Sequence, residues 1–112
     1  MQQPVTARRA AASAALALAA LGIGPAHAAG GLEIAKAQGC LACHAVDSKL
    51  VGPAYREVAE KYKGQADAQA TVVQHIREGG SGRWGDVPMP PQKQLTEAQA
   101  RTLAAWILGG AK

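Results

Sequence analysis

The chain has 112 residues, 18% of them charged, and a formal net charge of +4. That length suits one domain and is too short for two. After residue 28, lysines and arginines are scattered singly, without basic blocks interleaved with aromatics, which excludes a nucleic-acid footprint and leaves a solvated surface able to dock weakly on acidic partners.

Arg8 and Arg9 precede an apolar run from Ala10 to Gly24; Pro25 follows, and Ala26, His27 and Ala28 make a small-x-small pattern. These features predict a cleavable export signal over residues 1–28, a single domain over residues 29–112 and delivery to the periplasm. The run falls short of the ~20 residues that cross a bilayer, so cleavage is expected over an uncleaved anchor, with no stable membrane insertion. The paired arginines lack the rest of a twin-arginine signal, which favours ordinary unfolded export. What remains buries only ~60–65% of its unfolded surface. Its aromatics are Tyr55, Tyr62, Trp84 and Trp106, and Phe is absent. So thin a core gains from a bound cofactor.

Helical periodicity dominates the rest, and no strand pattern competes with it. Leu32 to Gln38 reads as a short helix ended by Gly39. A second helix is predicted to start at Pro53, whose fixed φ suits a first turn, with Tyr55, Val58, Ala59 and Tyr62 on its apolar face and Gly64 as its stop. Asp67 is placed to cap a third, carrying Val72, Val73 and Ile76 until Gly79 and Gly80. A long loop, Gly80 to Gln94, then holds Trp84, Met89 and the prolines 88, 90 and 91, a composition that points to function. Thr96 and Gln99 form a capping box for a last helix, which buries Ala100, Leu103, Ala104 and Ile107, with Trp106 bordering that stripe.

Cys40, Leu41, Ala42, Cys43 and His44 form the Cys-x-x-Cys-His sequence that attaches c-type haem. Residues three apart on a helical turn share a side, so both sulfurs can reach the vinyl groups of one haem edge while His44 ligates the iron. A thioredoxin-type pair would require a βαβ pattern that is missing. Zinc would require four ligands, and only His44 and His75 accompany the cysteines after residue 28. A plain disulfide would leave His44 and the Met89 loop unexplained.

Met89 is the expected second axial ligand, because its neighbouring prolines stiffen the backbone and lower the entropy lost on pinning a thioether to iron. Ordinary packing of Met89, or ligation by His75 instead, are the alternatives. Histidine and methionine together saturate iron, which favours electron transfer over bond chemistry.

The residues from about Gly39 onward resemble the short, single-haem class I cytochromes c of the pseudomonad type. The resemblance is carried by Gly39-Cys-Leu-Ala-Cys-His44, Gly52-Pro-Ala-Tyr55, Trp84-Gly85, Val87-Pro-Met-Pro-Pro91 and a last helix bearing Trp106. It implies an all-α fold of four to five short helices around one covalently bound haem c. It also implies that the Pro53 carbonyl accepts from His44, that Trp84 donates to a haem propionate, and that Gln92 reaches the Met89 sulfur. Two positions depart from the pattern. Ala35 replaces an aromatic, which leaves looser packing or a gap for Tyr62 to fill. His75 stands where an arginine often meets a propionate, which places a titrating group near the haem.

The function so implied is a monomeric periplasmic carrier, not an enzyme, that takes one electron from a cytochrome bc-type complex and passes it to a terminal oxidase or nitrite reductase. The transfer surface is expected beside Cys40, Cys43, Gly52 and Pro53, with Lys49 near it. The competing classes are a haem peroxidase or sensor with a labile Met89, and an electron-entry subunit of a larger dehydrogenase.

Overall fold

The computed structural model describes residues 29–112 throughout and, before them, only positions 2, 4, 11, 14, 15, 17 and 22. The predicted signal segment therefore lies outside the continuously described residues. Four α-helices follow in order: α1 Gly31–Ala37, α2 Tyr55–Tyr62, α3 Ala68–Glu78 and α4 Glu97–Leu108, with a 3-10 turn at Cys40–Ala42. Among the described residues no helix is long and apolar enough to cross a membrane.

The last helix is the organiser, because it packs on each of the other three. Its start is the one encoded most directly: Thr96 Oγ1 accepts from the Gln99 N–H at 3.1 Å, and Gln99 Oε1 accepts from the Thr96 N–H at 2.9 Å. The buried stripe Ala100, Leu103, Ala104 and Ile107 meets Ile34 and Ala35 of α1, Tyr55, Val58 and Tyr62 of α2, and Val72, Val73 and Ile76 of α3 in one core. Leu95, 2% exposed, plugs that core just before α4.

One helix start and one cap differ from the sequence reading. The second begins at Tyr55, not Pro53, because Ala54 is extended, with ψ 142°. The free N–H groups of Tyr55 and Arg56 donate back to Ala45 O and Val46 O at 2.9 and 3.0 Å, which docks α2 onto the segment after His44. Asp67 stands at the cap of α3 but makes no side-chain capping bond. Its φ of −100° and ψ of 14° lie away from the extended region that turns a cap oxygen over the first turn.

Ala35 is fully buried. The bulk beside α1 comes from Trp106, whose Cβ, Cγ and Cδ2 occupy the space that a side chain at Gly31 would need. Tyr62 instead sets its hydroxyl 3.3 Å from His75 Nδ1. Gly31→Ala is accordingly predicted to destabilise the fold by about 1–3 kcal/mol through overpacking against Trp106. Chemical denaturation checks this, and an unchanged midpoint would contradict it.

Candidate functional site

Gly39 brings the chain from α1 into the site with φ of 74°, a left-handed conformation that glycine adopts without strain. The 3-10 turn follows, with Cys43 N–H and His44 N–H both donating to Cys40 O, at 3.2 and 3.0 Å. Cys40, Cys43 and His44 all line one cavity, and Met89 lines it from the loop after α3. Both cysteines are free thiols of intermediate exposure. Burial pushes the Cys40 thiol up from its ordinary value, against the opposing pull of hydrogen bonds from its own backbone and from Tyr55.

The His44 ring is held on three sides. Its Nδ1 lies 2.8 Å from Pro53 O and donates to it, so Nε2 is the nitrogen left with a lone pair for a metal. The Tyr55 ring stacks on the imidazole, with centroids 5.1 Å apart and planes inclined by 16°. On the third side is Gly52, where a Cβ would stand 2.5 Å from His44 Cε1. Backbone bonding reinforces this, since Gly52 N–H donates to Cys43 O at 2.8 Å. Tyr55 in turn meets Trp106 edge-on at 5.4 Å, which links the imidazole to the α1–α4 crossing.

Met89 is anchored through its backbone. Its N–H donates to Gly80 O at 2.8 Å and its carbonyl accepts from Gly80 N–H at 3.0 Å, an isolated antiparallel bridge across the loop that runs from Gly80 to Gln94. Gly79, at φ 65°, packs its Cα face directly on the Met89 carbonyl, where no Cβ fits. Two residues beyond Pro90, the Gln92 N–H returns to Ile76 O at 3.1 Å.

Gln92 departs from its expected contact. Its amide nitrogen donates to Pro90 O at 3.0 Å and its oxygen accepts from Gln94, with no bond to the Met89 sulfur. A carbonyl two residues away is both nearer and a stronger acceptor than a thioether. Trp84 lines the cavity, 37% exposed, with Lys61 Nζ 4.3 Å from its ring centroid. His75 lines it too, beside Arg83 and Lys61. Its pKa is lowered from 6.5, by burial first and then by the Arg83 and Lys61 charges, with Glu78 opposing.

Sequence reasoning missed Tyr55 as the stacking partner of His44, Gly52 as the space for its ring, Arg83 as a cation at the cavity, and the Gly80–Met89 pairing. The motif Gly52-Pro53-Ala54-Tyr55 contained the signal for the first two. The cavity suits a haem by chemistry. Two thiols can form thioethers, an imidazole nitrogen and a methionine sulfur can ligate iron, and apolar side chains such as Val72, Ile76, Leu103 and Ile107 suit a porphyrin face. The Trp84 indole N–H, with His75 when protonated, suits its carboxylates.

Comparison with known proteins agrees with that fit. The family model for cytochrome c matches residues 28–111. Cytochrome c-551 of Azotobacter vinelandii is 54% identical over 78 residues, covering 70% of this chain and 94% of the relative. Cytochrome c-552 of Hydrogenobacter thermophilus is 54% identical over 76 residues, covering 68% of this chain and 76% of the relative. The crystal structure of Nitrosomonas europaea cytochrome c552 superposes with a TM-score of 0.69 at 43% identity, over 70% of this chain and 98% of that one. The chain belongs to the cytochrome c family, as a small all-α class I member with one covalently attached haem c.

Proposed function

We propose that the protein is a periplasmic single-electron carrier in which Cys40 and Cys43 hold haem c through thioethers and His44 and Met89 are its axial ligands. The observation that carries this reading is the convergence of those four side chains on one cavity. When bound, haem c supplies one-electron Fe(II)/Fe(III) cycling.

The chain's part is to hold ligands still. Pro53 O, Gly52 and Tyr55 fix the His44 imidazole, and the Gly80 pairing fixes the Met89 backbone, so neither ligand has to move between redox states. Two protein ligands leave no position for oxygen or peroxide, which supports a carrier over an enzyme or gas sensor. Exposed Leu50, with Val51 and Val87 at the rim of the cavity, stands close to Gly52, Pro53 and Met89 and supports brief apolar docking of redox partners. The resemblance supports a cytochrome bc-type donor and a terminal oxidase or nitrite reductase as acceptor. The residues 1–28 pattern supports the periplasm.

Carbon monoxide tests the ligand set. The reduced protein at neutral pH is predicted to resist it, and Met89→Ala to bind it stoichiometrically, followed by visible absorption. Full binding by the unsubstituted protein would contradict Met89 ligation and favour a sensor or peroxidase.

His75 gives a pH dependence with a definite sign. Its protonated form adds positive charge beside the cavity and favours the reduced state; deprotonation removes that charge. The potential is therefore predicted to fall as pH rises through the His75 pKa, which burial and the Arg83 and Lys61 charges lower and a haem carboxylate beside it would raise. His75→Asn should flatten the slope in potentiometric titration between about pH 5 and 8. A flat profile in the unsubstituted protein would exclude this role.

A further inference from the structure

The loop that carries Met89 is tied at its base and, separately, at its tip. The base tie is the two-way backbone pairing of Gly80 with Met89. The tip, residues 81–87, borders the cavity with Ser81, Arg83, Trp84, Gly85 and Val87, and on its outer side polar contacts hold it. Arg83 sends its guanidinium back to the base of the loop, where both terminal nitrogens donate to Gly79 O at 3.3 and 3.2 Å. Lys61, in the last turn of α2, donates to Arg83 O at 3.0 Å and sets its ammonium over the Trp84 ring.

The acceptor is what gives this arrangement its meaning. Gly79 directly precedes the residue that pairs with Met89, and its Cα lies against the Met89 carbonyl. A pull on Gly79 O is therefore a pull on the backbone that positions the methionine. A planar fork with two terminal donors suits one carbonyl approached from the tip, whereas an ammonium would offer a single point contact. Within the loop, Gly82 N–H to Gly85 O at 2.8 Å closes the tip itself and lets it move as a unit.

We propose that Arg83, braced by Lys61, is a positioning residue that straps the tip of the loop to Gly79 and so slows release of the Met89 thioether. This rests on the reading of Met89 as an axial ligand. Loss of the strap leaves the core untouched and lets the 80–89 segment open more often.

The test uses ferric holoprotein and saturating imidazole above its own pKa. This neutral ligand can replace a methionine, and loop opening then limits the rate without interference from the deleted charge. Arg83→Ala and Lys61→Ala should take up imidazole about three- to tenfold faster, with Arg83→Lys between Arg83→Ala and the unsubstituted protein. Amide exchange at Gly80 and Met89 should rise by a similar factor, while the denaturation midpoint followed by far-UV circular dichroism stays put. Unchanged uptake and exchange in both alanine variants would overturn the strap, as would changes that merely track global destabilisation. Absence of the sulfur-to-iron charge-transfer band from the unsubstituted protein would overturn the ligand reading instead, and the two failures are separable because amide exchange reads the strap alone.

Discussion

Trp106 pressed against Gly31 is the contact on which the placement of the site depends. It brings α1 and α4 together at a distance that only a glycine permits, and it leaves the indole free to meet Tyr55 edge-on at 5.4 Å. Tyr55 then stacks on His44. The imidazole is therefore backed by an unbroken series of rings that ends in the crossing of the two terminal helices, although His44 itself belongs to no helix. Loosening that crossing would be felt at the ligand before any residue lining the cavity was changed.

The methionine side is built on a different principle. No aromatic stack backs Met89; backbone pairing to Gly80 and the close approach of Gly79 fix it, and surface cations secure the tip of the loop. One proposed ligand is thus held by core packing and the other by hydrogen bonds near solvent. Packed rings yield only when the core yields, whereas a hydrogen-bonded loop can open locally at much smaller cost. With both side chains on the iron as proposed, this asymmetry makes the bond to sulfur the first to give way.

Much of this was legible in the residues because the relevant signals are local. Cys-x-x-Cys-His is contiguous, the Thr96–Gln99 box closes within one turn, and the stripes of α3 and α4 follow helical spacing. The features that escaped are products of distant segments meeting. The fixed φ of Pro53 suits a helix start, but the bonds from Tyr55 and Arg56 to Ala45 and Val46 place the start two residues later. The prolines stiffen the chain around Met89, yet its pairing partner, Gly80, lies nine residues back, just past α3. Arg83 looked like one more scattered surface charge until the fold put its guanidinium on Gly79 O. Gln92 shows the reverse case, in which a contact implied by resemblance gives way to a nearer carbonyl.

The proposed site has two thioethers tethering one porphyrin, with an imidazole and a methionine sulfur both on its iron. Visible and near-infrared absorption of protein produced with its natural maturation machinery, recorded in both redox states, is its sharpest test. Low-spin c-type haem bands are expected in each state, with a sulfur-to-iron charge-transfer band in the oxidised one. A colourless protein with both thiols unmodified would contradict it.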